Sequence, residues 1–370
     1  MKFIDLQKQY NKIKDNIDND IKSILNRTDF VLGKKVFNLE KKLADYVGIS
    51  ECITCASGTD ALLIPLMAEN LKKNDAVFTT NFSFFATAEV ISLVGATPVF
   101  VDIDKKTFNI DPQLLEKKII QVVNKGTFKP KAIIAVDLFG QLADYRKIEK
   151  IAKKYNLFLI EDAAQSFGSS YKNKKSCSFG DVAATSFYPA KPLGCYGDGG
   201  AIFTNDKKKA EIYRSIRVHG QGEDKYDNVR VGINSRLDTL QAAILLSKLS
   251  IFNEEIEKRN KIATYYKKHL KNIVEVPFVS NNNISSWAQF SVLAESDKHR
   301  NEFIKYLESK NIPTAIFYKK LFSELEIYKN LEKSSFDISR NISSRIFSLP
   351  MHPYLDSKQL EMIVQTMKEF

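Results

Sequence analysis

Residues 185–200 read TSFYPAKPLGCYGDGG, with Lys191 set close between Pro189 and Pro192 and four glycines following. Lysine side chains normally keep their ammonium groups in water. Here Pro189 has a fixed φ, and Pro192 restricts Lys191 to extended geometry. A loop built this way can aim one amine inward at a defined height. Such an amine can form a Schiff base with an aldehyde, provided burial or neighbouring cations take away its proton. A phosphate-binding lysine of the P-loop kind is the plainer alternative, but the chain has no GxxxxGK[ST] pattern.

Other polar residues stand where short apolar runs end. Ser57, Gly58 and Thr59 (in CASGTDALLIPL) open a helical run, whose free N–H groups would form an anion site. Gly58 allows close backbone approach. Asp162 follows the run Leu157–Ile160, and a half-buried carboxylate there needs a partner, or its pKa rises. A protonated ring nitrogen would serve, and Gln165 could reach the same ligand from the next turn. Ser186 ends another run and can donate its hydroxyl to a phosphate. Asn234 and Arg236, just before a long helical pattern, could donate to a phosphate and grip an anion in bidentate fashion. Taken singly, each has a bland reading as a helix cap or turn. Together, a phosphate turn, a strand-end acid, a strand-end hydroxyl and a loop lysine fit one cofactor, pyridoxal 5′-phosphate.

The elements that must carry these residues are legible from hydrophobic patterning. DAVFTT, TPVFVDID, KAIIAVDLFG, NLFLIED, VAATSF and GAIFTND read as short buried strands. Helical stretches alternate with the earlier ones: SFFATAEVISLVG, DPQLLEKKIIQVV and DYRKIEKIAKKYN. KVFNLEKKLADYVG places Val36, Leu39, Leu43 and Tyr46 on one helical face. This alternation predicts an α/β domain around a mostly parallel sheet covered on both faces. Ligands of such sheets bind beyond the carboxyl ends of the strands. From Asp238 a single long helix is expected to lead out of the core. It is followed by WAQFSVLA (strand), KHRNEFIKYLESKN (helix), PTAIFY (strand) and SKQLEMIVQTMKEF (helix). The expected division is a large domain, residues 1–245, and a small α+β domain, residues 246–370.

Composition narrows the function classes. The 370 residues carry a net charge of +11, but the lysines are scattered and no arginine-rich arm is present, which argues against nucleic acid. No apolar tract is long enough to span a bilayer, and the charged start does not read as a signal peptide, so a cytoplasmic protein is expected. Cys52, Cys55, Cys177 and Cys195 make no disulfide framework, and the CITC pair reads as strand cysteines rather than a metal site.

The chain resembles the DegT/StrS family of sugar aminotransferases. SGTDAL, FFATAEVISLVGATPVFVDID, EDAAQSFG, SFYPAKPLGCYGDGGAIFTND and VGINSRLDTLQAAIL carry the resemblance, which extends to SLPMHPYLD. It implies fold type I, the aspartate aminotransferase fold. It also implies Lys191 as the Schiff-base lysine, Asp162 as partner of the pyridine nitrogen and Gln165 beside the ring hydroxyl. Gly58, Thr59 and Ser186 become the phosphate cradle, and Phe84 the aromatic stacked on the ring. Asn234 would reach a second subunit's phosphate, which implies a homodimer with shared active sites. The implied substrates are L-glutamate and a nucleotide-linked keto sugar, for amino sugars of surface polysaccharide or lipopolysaccharide. INSRLDTLQAAIL and SLPMHPYL resemble members that aminate C3, whereas members acting at C4 more often carry tyrosine where Ser235 stands. Rival readings are C4 amination, a dehydratase, which would need histidine in place of Lys191, and a regulatory protein that binds the cofactor without turnover. Two departures from the family pattern stand out. In the sugar-contacting loop Phe317 replaces a histidine before Tyr318, and Lys319 and Lys320 follow. Asp137 stands where a small polar residue or histidine is common.

Overall fold

The computed structural model describes residues 1–224, 226–331 and 334–370. Its centre is a seven-stranded sheet of β1 (Glu51–Cys55), β2 (Asp75–Thr80), β3 (Thr97–Val101), β4 (Lys129–Val136), β5 (Phe158–Asp162), β6 (Val182–Ser186) and β7 (Gly200–Thr204), in the spatial order β1-β7-β6-β5-β4-β2-β3. Neighbouring pairs from β6 to β3 are parallel, and β7 runs antiparallel to both β6 and β1. Six strands therefore point the same way, and their carboxyl ends share one edge.

Alternation along the strands explains why helices cover both faces. Val77, Ile134, Ile160, Val182 and Ile202 join one core with Leu62, Ile64 and Leu66 of helix Gly58–Ala68 and Tyr213 of helix Lys207–Ile216. Their strand neighbours turn the other way. Phe78, Ile133 and Leu159 pack on Leu115 and Ile119 of helix Pro112–Lys125 and on Ile148 of helix Tyr145–Tyr155. Cys52, Ala183 and Phe203 pack on helices Lys34–Val47 and Thr239–Leu249. Val36, Leu39 and Leu43 are buried as their spacing predicts, and Tyr46 stacks on Phe167 with ring centroids 5.4 Å apart.

Two expectations need correction. The long helix from Asp238 is two helices, Thr239–Leu249 and Phe252–Leu270, broken at Ser250 and Ile251. Ser250 Oγ donates to the Ser247 carbonyl, a serine-to-backbone bond of the kind that bends helices. The break lets Phe252 and Ile256 pack against Phe167. PTAIFY forms no strand. It makes one antiparallel bridge, Ala315 with Ser348, before the chain turns towards the strand ends. The remaining C-terminal elements pair β8 (Phe290–Leu293) with β9 (Ile346–Leu349). Phe303, Leu307, Ile363 and Met367 of two helices and Tyr266 and Leu270 of a third pack with them. Among the described residues no helix is long and apolar enough to cross a membrane.

One buried ion pair ties the first helices to the sheet. Arg217 Nη1 lies 2.6 Å from Glu40 Oε1 and donates to the Thr54 carbonyl, while Thr54 N and Oγ1 donate to Glu40. Both side chains are at most 8% exposed. Removing one partner strands a buried charge, whereas removing both does not. Glu40→Leu should cost about 3–5 kcal/mol, read as a lower urea midpoint, and adding Arg217→Met should recover part of it. A double variant no more stable than Glu40→Leu alone would show that the charges do not act as a pair.

Candidate active site

The sheet order brings the chemistry-bearing residues to one edge. Gly200, the first residue of β7, pairs with Cys55 of β1 on one side and Ser186 of β6 on the other. The turn after β1 and the end of β6 are therefore forced together. A Cβ on Gly58 would lie 2.5 Å from Ser186 Cβ, and one on Gly200 would lie 2.3 Å from the Ser57 carbonyl oxygen. Glycine is required at both positions by this approach, not by an unusual φ.

Gly58 begins helix Gly58–Ala68, capped by Ser57, whose side chain accepts from Asp60 N. Among the described residues the N–H groups of Gly58 and Thr59 and the Thr59 hydroxyl have no protein partner. Ser186 Oγ accepts only a long bond, 3.3 Å, from Tyr188 N. Two free amides at a helix N-terminus and two hydroxyls make a nest suited to a phosphate. Ser235 braces this nest from behind: its Oγ donates to Asp60 Oδ2 at 2.7 Å and accepts from Ala56 N.

Asp162 closes β5 in register with Ala184 of β6 and is buried. Oδ2 accepts from Thr87 Oγ1 at 2.8 Å, and Oδ1 accepts from Ala164 N at 3.2 Å. Desolvation raises its pKa; those two hydrogen bonds and the Lys191 charge pull it back. Thr87 carried no signal in the sequence. It sits on helix Ala86–Leu93 and meets Asp162 only because β2, β4 and β5 are neighbours.

Lys191 is held by a turn inside its proline-bracketed loop. Lys191 N donates to the Tyr188 carbonyl at 2.8 Å, closing a turn with Pro189 in its second position. The side chain is half-buried, and desolvation lowers its pKa against the pull of Asp162. An amine that gives up its proton readily beside a buried carboxylate is suited to nucleophilic and proton-transfer work.

Gln165 links three segments. Its Oε1 accepts from Phe139 N at 2.7 Å, and its Nε2 donates to Tyr318 Oη at 3.0 Å. Burial also pushes the Tyr318 phenol up. The Tyr318 ring contacts Phe82, Phe84 and Phe317 at centroid distances of 6.1, 6.4 and 5.8 Å. Phe84 is 56% exposed, so it is not a core residue. The loop beyond is anchored by Asn81, which sequence reading passed over. Phe322 N donates to the Asn81 carbonyl, Ser323 N to Asn81 Oδ1, and Asn81 Nδ2 to Ser323 Oγ. An asparagine just past the end of β2 was the available signal. Lys319 and Lys320 lie exposed between the two anchors.

Asp137 is used internally. It accepts from Ala143 N, Tyr145 Oη and Ser166 Oγ, and desolvation raises its pKa beside buried Glu161. Arg236 is half-buried, and Asn234 is exposed, bridged to Val218 through the backbone. A groove of about 1360 Å³ lies elsewhere, beside Lys106, Arg146 and Lys174, and Lys191, Asp162, Ser186 and Gly58 do not line it. The site is defined by converging chemistry, not by volume.

Fold and site together define a pyridoxal phosphate-dependent transferase of the α/β class. The DegT/DnrJ/EryC1/StrS aminotransferase family model matches residues 11–368, and the chain belongs to that family. It is a sugar aminotransferase. It is 48% identical over 364 residues to the UDP-2-acetamido-2-deoxy-3-oxo-D-glucuronate aminotransferase of Pseudomonas aeruginosa, covering 98% of each chain. A family aminotransferase structure from Brucella abortus superposes with a TM-score of 0.98 at 46% identity, covering 100% of this chain and 99% of that one. NtdA of Bacillus subtilis, solved with bound cofactor PMP, gives 0.90 at 27% identity, covering 99% and 82%.

The raised pKa of Asp162 has a consequence for the cofactor-free protein. The folded state keeps that proton to higher pH than the unfolded chain. Stability drawn from it is present at low pH and lost as pH rises through the elevated value. Asparagine escapes this loss. Cofactor-free Asp162→Asn should match wild type in melting temperature near pH 4, the ordinary carboxylate range, and exceed it near pH 8. Turnover by the loaded variant should be nearly absent. A variant that melts lower at every pH would show that the carboxylate is a structural cap.

Proposed function

We propose that this chain transfers an amino group from L-glutamate to C3 of a UDP-linked 3-keto sugar, with Lys191 as the covalent lysine and proton carrier. The observation that carries the reading is the convergence of Lys191, Asp162 and the Gly58–Thr59–Ser186 nest at one sheet edge. The nest fits a phosphate, and the buried Asp162 carboxylate suits a protonated ring nitrogen. When bound, pyridoxal phosphate supplies an electron sink for the carbon that loses its proton.

The protein's own groups do the rest. Asp162 holds the ring nitrogen protonated, oriented by Thr87. Gln165, fixed from both sides, stands beside the ring hydroxyl, and Phe84 offers a face for stacking. Lys191 Nζ would take the proton from the donor's α-carbon as a base and give it back as an acid. The donor would leave as 2-oxoglutarate after the first half-reaction, and in the second Lys191 would move the proton in the opposite sense as the keto sugar leaves as the amine. Arg236, Phe317 and Tyr318 contact the sugar nucleotide, and Lys319 and Lys320 give its entrance positive charge.

The C3 preference rests on the Pseudomonas aeruginosa relative and on a 39% identical dTDP-3-amino-3,6-dideoxy-alpha-D-galactopyranose transaminase from Aneurinibacillus thermoaerophilus. Ser235 bears on it less directly, since its hydroxyl is committed to Asp60. The working unit is a homodimer, in which Asn234 of the partner subunit completes the phosphate nest. Exposed Phe30, Phe37, Tyr188 and Val231 would be covered by such a partner, the last being 84% exposed in the single chain. The setting is cytoplasmic synthesis of an amino sugar for surface polysaccharide, with residues 1–245 carrying the cofactor-binding residues and Arg236, and residues 246–370 carrying Phe317 and Tyr318.

Two outcomes test this reading. Lys191→Ala should lose about ten-thousand-fold in turnover and lack the absorbance band of the lysine-bound cofactor; turnover in that variant would overturn the assignment. Enzyme first converted with glutamate should regain that band with UDP-linked 3-keto sugars and not with 4-keto sugars. Recovery with the 4-keto series alone would move the reaction to C4, and no conversion with glutamate would favour a regulatory role.

A further inference from the structure

A second lysine is withdrawn from water near Lys191, and the chemistry above does not use it. Lys248, on helix Thr239–Leu249, is 1% exposed. Its Nζ donates to the Gly194 carbonyl at 2.5 Å and lies 4.2 Å from the centre of the Tyr196 ring. Glu255 is the carboxylate that acts on it, and it does so only through space, without a hydrogen bond. Burial brings its pKa down to about 8, with Glu255 and Cys195 pulling it back. A desolvated lysine spent on one carbonyl is costly to keep, so what that carbonyl supports matters.

Gly194 belongs to the loop that presents Lys191. Phe187 and Cys195 close the neck of this loop, with Cys195 N donating to the Phe187 carbonyl at 2.7 Å and Phe187 N to Gly199 at 2.8 Å. Lys191 sits near the tip, and residues 194–197 form the return limb. That limb lies against the outgoing turn, since a Cβ on Gly194 would come within 2.6 Å of both the Tyr188 and Pro189 carbonyl oxygens. The Tyr188 carbonyl is the one that accepts from Lys191 N. The return limb is clamped to helix Thr239–Leu249 at two points. Gln241 accepts from Tyr196 N at 2.8 Å and donates to the Tyr196 carbonyl at 3.2 Å. Lys248, two helical turns further on, holds Gly194.

We propose that Lys248 is a positioning residue for the aminotransferase reaction: through Gly194 it fixes the Tyr188–Lys191 turn, and with it the height and direction of the Lys191 amine. This rests on Lys191 being the covalent lysine. Misplacing a reacting group by about 1 Å can cost on the order of a hundredfold in rate. Loss of the clamp should therefore reach the chemistry before it reaches substrate binding.

The test uses cofactor-loaded enzyme with Lys248→Met, Lys248→Arg and Gln241→Ala, and each variant's melting curve is recorded first. In Lys248→Met we expect the glutamate half-reaction to slow about tenfold or more with little change in KM. We also expect the pH midpoint of the lysine-bound cofactor's absorbance band to move, which a merely structural loss would not do. Lys248→Arg, which keeps a donor, should restore most of both. Gln241→Ala frees the same limb without touching the buried charge, and should shift the band in the same direction by less. Wild-type rate and midpoint in folded Lys248→Met overturn the proposal. If Lys248→Met does not fold, an unshifted band in folded Gln241→Ala overturns it instead. Absence of the band from wild type would refute the role of Lys191 itself, a distinct result.

Discussion

Everything at this site follows from keeping one carboxylate and one amine out of water at the same sheet edge. Asp162, desolvated at the end of β5, resists ionising, and Lys191, desolvated in its loop, resists protonation. Each partly relieves the other. Two hydrogen bonds to Asp162 leave its carboxylate short of full compensation, and a protonated ring nitrogen would complete it. The site is thus strained electrostatically towards a cationic heterocycle, and the fold stabilises that arrangement elsewhere.

The sheet order is how the fold does so. β7 runs against its neighbours and begins at the functional edge, which lets the Lys191 loop leave β6 and return to the same edge. Gly200 then draws the β1 turn against β6, so the phosphate nest is a by-product of strand pairing. Helix Thr239–Leu249 holds the loop's return limb, and the break at Ser250 allows the next helix to turn towards the C-terminal elements. The small loop that carries Tyr318 is fixed at one end by Gln165 and at the other by Asn81.

Much of this was legible in the sequence because local rules governed it. Continuous apolar runs marked the strands, and Pro189 and Pro192 marked a rigid loop around Lys191, which the structure closes with a turn. Gly58 and Ser186 were visible as small residues at strand ends. What stayed hidden depended on contacts distant in sequence. Thr87 meets Asp162 across two intervening strand pairings, 75 residues away. Asn81 anchors a loop 242 residues on. Lys248 carried no signal in the sequence, and only its packing against Gly194 shows it to be buried. The break at Ser250 was missed because its flanks are helix-forming on both sides, and the hydroxyl that marks it is a weak local signal. PTAIFY misled because β-branched and aromatic residues suit a cleft-lining loop as well as a strand.

Borohydride reduction of the pyridoxal phosphate-loaded enzyme, followed by peptide mass mapping, tests the central claim most directly. Reduction makes a lysine–cofactor linkage permanent and reports which amine held it. The chain offers two desolvated lysines near this loop, Lys191 and Lys248. The account predicts the added mass on the peptide containing Lys191 and none on the peptide containing Lys248. Label on Lys248, or on neither, would contradict it.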